Sequence, residues 1–134
     1  MTVPEVLVVD GANVVGSRPD GWWKDRPGAA ARLHARLLAA TGLSPRMVLV
    51  LEGRARAGVP EGLTGTVEVV HAAGGGDDRI VAEAARAAAA GRTVAVVTAD
   101  RGLTSRVETF GASVLRPGWL LGRIQETGGA PVIG

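Results

Sequence analysis

The chain has no cysteine among its 134 residues. That excludes disulfides and thiolate metal sites, and it fits a cytoplasmic protein. Lysine is nearly absent: Lys24 stands alone, and the other fourteen of the fifteen basic residues are arginine. Arginine is the better fork for phosphate, although a GC-rich coding bias gives the same arginine and alanine load. No strong charge of one sign is present; the formal net charge of +2 is too weak to point to a nucleic-acid partner by itself. No apolar run approaches the roughly 18 residues that span a bilayer, and the opening MTVPEVLVVDG lacks a basic n-region and a cleavage site. Neither a membrane partner nor a signal peptide is expected, and the expected location is cytoplasmic. What is present is a 46% hydrophobic chain of one-domain length. Residues 1–126 are expected to form a single domain and 127–134 a flexible tail.

Four apolar, β-branched runs stand out, at 6–9, 47–51, 67–70 and 94–97, with a weaker fifth at 113–115. Unbroken runs of this length read as strands buried on both faces, as in parallel sheets. Helical patterns separate them. The first covers about 27–40, with Pro27 suited to its opening turn and Leu33 and Leu37 four apart. The second covers about 77–90, with carboxylates in its first turn and Gly91 as its stop. A third covers about 101–110, ended by Gly111, and a fourth starts near Gly118. Between the second and third strands lies GRARAGVPEGLTG, rich in Gly and Pro, where little or no helix is expected. The alternation predicts an α/β fold of three layers, α/β/α, on a parallel five-stranded sheet of order 3-2-1-4-5. In that order the sheet reverses between the first and fourth strands, so the site belongs at their C-terminal ends.

Carboxylates occupy those ends. The first strand runs into Asp10 within EVLVVDGANVVGSRPDGWWKDRPG, the second into Glu52 and the fourth into Asp100, while the third leads through HAAGGGDDRI to Asp77 and Asp78. One Asp after a strand is often a turn residue or helix cap. That explanation has to hold separately at three or four strand ends. Clustered anions repel and raise one another's pKa, and a divalent cation offsets the repulsion. Oxygen donors without cysteine or paired histidine suit Mg²⁺ or Mn²⁺ rather than zinc. Other acidic α/β sites fit less well. GGGDD lacks the lysine of a P-loop, and two carboxylates at a helix start repel pyrophosphate. A dehalogenase-type phosphatase needs an Asp where Ala12 stands, and a receiver domain needs a late lysine that the chain lacks.

VVDGANVVGS, VLVLEG, GGGDDRI and VVTADRGL, in this order and spacing, resemble the NYN branch of the PIN-like metal-dependent nucleases in its bacterial YacP-like form, over about residues 5–125. The resemblance implies a PIN-like parallel sheet, an acidic pocket holding Mg²⁺ or Mn²⁺, and cleavage of single-stranded or structured RNA. It implies Asp10 as the first acid, Asn13 as its companion amide, Asp77 with Asp78 beside it as the acids opening the middle helix, Asp100 as the last acid, and Glu52 as the acid after the second strand. Many members carry another Asp two residues after the last acid; here that residue is Gly102.

On this reading Asp10 is fixed by a central strand, Gly11 lets the chain turn sharply, and Asn13 points back to hold water, a substrate oxygen or Asp10. Arg79, Arg101, Arg54 and Arg56 follow the acids, as phosphate contacts or as surface ion pairs; Arg32 and Arg36 are expected in solvent. Trp22 and Trp23 either stack on unpaired bases or plug the core; one is expected to plug, the other is open between the two, and Trp22 is the substrate-binding candidate. Trp119 is expected in the core, and His34 and His71 in structural roles. The expected function is metal-dependent endoribonucleolytic hydrolysis of RNA. The rivals are a nucleotide pyrophosphohydrolase and a catalytically weak RNA-binding module of the same fold. The residues identify no ribosome or protein partner and no oligomeric state.

Overall fold

A computed structural model of the chain describes residues 3–18 and 20–128. At its centre β1 (Val6–Asp10) runs parallel to β2 (Arg46–Leu51) on one side and to β5 (Val94–Val97) on the other. Beyond β2 lies β4 (Val67–His71), and beyond β5 lies β6 (Ser113–Leu115), both parallel to their neighbours. These five strands follow the expected order. The correction is a sixth strand, β3 (Gly62–Thr64), which pairs antiparallel with β4 at the sheet edge. All three of its residues are exposed, so it leaves no apolar pattern to read; its partner across a two-residue turn makes it a strand.

Side-chain alternation along β1 builds a core on each face of the sheet. Leu7 and Val9 join Val14, Leu33, Leu37, Leu120 and Ile124. Val6 and Val8 join Ile80, Ala84, Leu103 and Val107. The first layer comes from α1 (Gly11–Gly16), α2 (Arg26–Ala39) and α5 (Pro117–Gly128); the second comes from α3 (Gly76–Ala89) and α4 (Arg101–Glu108). This is the expected three-layer α/β/α arrangement. No helix among the described residues is long and apolar enough to cross a membrane.

Helix α1 leaves no signal in the sequence, because GANVVG is too short to show a helical period. It corrects the role given to Gly11. That residue does not have a positive φ; it opens α1 and is buried. Its constraint is space: a Cβ there would stand 2.7 Å from the Val50 carbonyl oxygen. Two 3-10 turns, Trp22–Lys24 and Gly53–Gly58, occupy the loops after α1 and β2. Helix α5 carries on to Gly128, so the expected tail begins as helix; its residues 129–134 lie outside the described residues.

Candidate acidic site at the C-terminal edge of the sheet

Asp10 is the last residue of β1, 6% exposed, and the N-cap of α1. Its Oδ1 accepts the Asn13 amide hydrogen at 3.2 Å and its Oδ2 accepts the Thr98 hydroxyl at 2.9 Å. Burial holds this carboxyl above its ordinary range; the two hydrogen bonds work against that, and the charges of Asp77 and Glu52 add to it. The Asn13 side chain does not turn to Asp10. Its Oδ1 accepts the backbone N–H of Ala99 at 2.8 Å, tying α1 to the loop after β5.

Asp100 caps α4, its Oδ1 accepting from Leu103 N at 2.9 Å. Its own N–H donates to the Thr98 hydroxyl at 3.2 Å. Thr98 is thus a buried residue, 1% exposed, that links two acids. Sequence reasoning passed over it; the only signal was a hydroxyl ending the apolar run VVT just before an acid.

Asp77 stands exposed in the first turn of α3. Desolvation, and then Asp100 and Glu52, raise its pKa; Arg106 lowers it, and Asp78 adds a further rise. Asp10, Glu52 and Asp100 therefore each lie within electrostatic reach of Asp77, and Asp10 and Glu52 of each other. Glu52 follows β2 and is half-buried, with Oε1 accepting the Gly76 amide hydrogen at 3.0 Å. It supplies the side-chain bond that Gly75, as N-cap, cannot make for α3. Asp78 is directed elsewhere: 90% exposed, it pairs with Arg106 of α4 at 2.9 Å. Arg106 escaped the sequence reading because its partner lies 28 residues away.

All donors here are oxygens, the chemistry suited to a hard divalent cation. Among the described residues, no three Asp, Glu or His side chains form a ready-made cage for one.

The arginines divide into two groups. Arg79 is committed to structure: its Nε donates to Glu83 at 2.8 Å and its NH1 to the His71 carbonyl oxygen at 3.1 Å. Arg56 donates to the Gly53 carbonyl oxygen at 3.0 Å. Arg54 and Arg101 are exposed and have no hydrogen-bond or ion-pair partner among the described residues. No Arg101–Asp100 pair forms. Trp22 is half-buried and Trp23 is 54% exposed; their rings meet edge-on at 6.1 Å. Arg26 lies over the Trp22 ring at 5.2 Å, another contact not foreseen. Trp119 packs against the core as expected. His71 Nε2 bonds to the Val59 carbonyl oxygen at 2.8 Å. His34 Nε2 is buried without a hydrogen-bond partner among the described residues, and burial lowers its pKa.

No protein-family model and no curated protein matches the chain. Solved structures do. Two crystal structures of Rae1 (YacP) from Bacillus subtilis, one of them a point mutant, match 92% of this chain at 20% identity. The mutant matches with a TM-score of 0.68 over 77% of its chain, and the other with 0.65 over 75%. At that identity the likeness speaks for the fold: the chain has the fold of the Rae1 (YacP) structures.

Proposed function

We propose that the chain is a metal-dependent ribonuclease that cuts RNA internally at the acidic edge of the sheet. The observation that carries this reading is the convergence of Asp10, Asp77 and Asp100, with Glu52, from four separate segments onto one edge. Both Asp10 and Asp77 are raised in pKa partly by neighbouring carboxylates. Asp10, Asp100 and Glu52 each also hold a backbone amide, whereas Asp77 accepts no hydrogen bond among the described residues, and a divalent cation would offset the repulsion the four share. Mg²⁺ or Mn²⁺ would be held by Asp10, Asp77 and Asp100, with Glu52 adding charge. The open arrangement suits Mg²⁺, which keeps several waters and takes one or two carboxylates together with substrate phosphate oxygens. Such an ion neutralises phosphate charge and lowers the pKa of a bound water.

The chain's own residues supply the rest. Asn13 and Thr98 fix the β5–α4 loop against β1, so two of the acids keep their separation. Arg101 and Arg54 are left to hold RNA phosphates. Asp78 is retained by Arg106 and lies outside the proposed ligand set. The partner is RNA, single-stranded or structured.

One observation favours a second reading. Gly102 stands where many resembling nucleases carry another acid, and no three-acid cage is formed among the described residues; a weak RNA-binding module of this fold would look the same. Incubation with labelled single-stranded RNA in Mn²⁺, in Mg²⁺ and in chelator separates the readings, with a panel of nucleoside triphosphates alongside. Internal cuts that chelator abolishes support the ribonuclease. Retarded but uncut RNA supports the binding module, and released pyrophosphate would move the assignment to nucleotide hydrolysis.

A further inference from the structure

A cavity of about 160 Å³ opens beside the acidic edge. Its walls are mostly apolar and come from Leu51, Ala55 and the Trp22 ring, with Arg26 and Glu52 as its charged members and Gly11 joining it to the end of β1. Two features point to its occupant. At about 160 Å³ it is comparable in size to a cavity that takes up one benzene ring. It also shares Glu52 with the acidic edge, and that carboxylate accepts the amide hydrogen of Gly76, the residue before Asp77. A tryptophan wall next to a phosphate-binding edge is how single strands are held: each base offers a π-face, and stacking does not require a particular sequence.

We propose that this cavity is a subsite for one unpaired nucleobase of the RNA, packed against Trp22 and adjacent to the scissile phosphate. The proposal rests on the ribonuclease reading and narrows it: the substrate at the cut is locally single-stranded, since a base seated in this cavity has left its pair. Arg26 has a defined part. Its guanidinium over Trp22 holds that ring in place and puts a positive charge beside the nucleotide carrying the base.

The test measures binding and cleavage separately. A short single-stranded RNA with a 5′ fluorophore is compared with a set in which one base at a time is replaced by an abasic ribose. Affinity is read by anisotropy in chelator, where metal-dependent cleavage does not intervene, and cleavage is read in Mn²⁺. For the wild-type protein, one abasic position is expected to weaken binding roughly tenfold or more. In Trp22→Ala the intact RNA should bind about as weakly as that abasic RNA, and the abasic penalty should vanish. Trp22→Phe should keep most of the penalty, and Arg26→Ala should keep part of it. Melting curves for each variant confirm folding, and the abasic set on wild-type protein needs no variant at all. A flat abasic profile on wild-type protein, or an equal penalty in wild type and Trp22→Ala, overturns the subsite. Absence of cleavage with a Trp22-dependent abasic penalty would overturn the ribonuclease reading and leave the base subsite standing.

Discussion

Asp10 is a carboxylate with both oxygens bonded and very little water around it. Burial holds its folded-state pKa above the ordinary carboxylate value, so the folded protein takes up this proton more readily than the unfolded chain. The sign follows from linkage. The stabilising contribution of this group is complete below the unfolded value and is lost as pH rises through the folded one. At neutral pH the ionised Asp10 therefore works against folding. Asp10→Asn removes that charge and keeps an N-cap that asparagine serves well. In metal-free buffer at pH 7 the variant should melt at or above the wild-type temperature, with the gap closing as pH falls toward about 4. Thermal melts across that range check it, and marked destabilisation at pH 7 would make the Thr98 and Asn13 bonds the dominant role of this residue. Cleavage by the same variant should fall by roughly a hundredfold or more, since even outer partners of metal ligands cost up to that much. Arg79 and Arg101 each follow an acid in sequence yet should respond differently. Arg79→Ala leaves Glu83, 6% exposed, with only the longer 3.4 Å contact to Arg86; a loss of about 1–2 kcal/mol in denaturant titration is expected.

The elements were largely legible and the contacts between them were not. Five strands and the approximate spans of four helices follow from apolar runs and their Gly, Pro and Asp punctuation, because doubly buried strands leave unbroken hydrophobic text. The exposed β3 and the six-residue α1 left none. At the site, the acids Asp10, Glu52, Asp77 and Asp100 could be placed on one edge, since topology alone brings strand ends together. The hydrogen-bond duties of Asn13, Thr98 and Glu52 could not, because each depends on a partner 24 to 88 residues away. Two glycines show what the contacts decide. Gly11→Ala puts a Cβ 2.7 Å from a backbone oxygen and should cost about 1–3 kcal/mol. Gly102 sits in the first turn of α4, where a Cβ would meet only Asp100 Oδ1 at 3.4 Å. Gly102→Ala should accordingly stabilise by about 0.5–1 kcal/mol. Gly102→Asp should tighten Mn²⁺ binding in calorimetry, since it restores the acid found in many resembling nucleases; unchanged affinity would place the ion away from α4. Glu52 joins two elements. Glu52→Gln keeps an acceptor for Gly76 and should melt like wild type, whereas Glu52→Ala should lose about 1 kcal/mol.

Across the whole chain, a net charge of +2 gives little general attraction for nucleic acid, so on the proposed ribonuclease reading affinity has to come from a few placed arginines. Arg101 is the best placed, exposed beside Asp100 and without a partner among the described residues. If it contacts a phosphate, Arg101→Ala should lower the slope of log K against log salt by about 0.7 for a single strand, while Mn²⁺ affinity changes little. RNA titrations at several salt concentrations check this, and an unchanged slope would remove Arg101 from the interface. The same titration on Arg79→Ala should show no change in slope, because both of that side chain's bonds are internal.

The loop after β5 is exposed at Ala99 and Asp100, a position from which backbone hydrogens ordinarily trade with solvent quickly. Here both are directed inward, Ala99 to the Asn13 side chain and Asp100 to the Thr98 hydroxyl that Asp10 in turn accepts. Through Asn13, and through Thr98 and Asp10, both amides are linked to the start of α1, so deuterium should enter the two together, and slowly for so exposed a loop. Asn13→Ala should speed uptake at Ala99 while leaving Gly76, whose amide is held by Glu52, on its own clock. The acidic edge then divides into two kinetic bodies: β1 with the β5–α4 loop, which opens as one piece, and the start of α3, which can open without it.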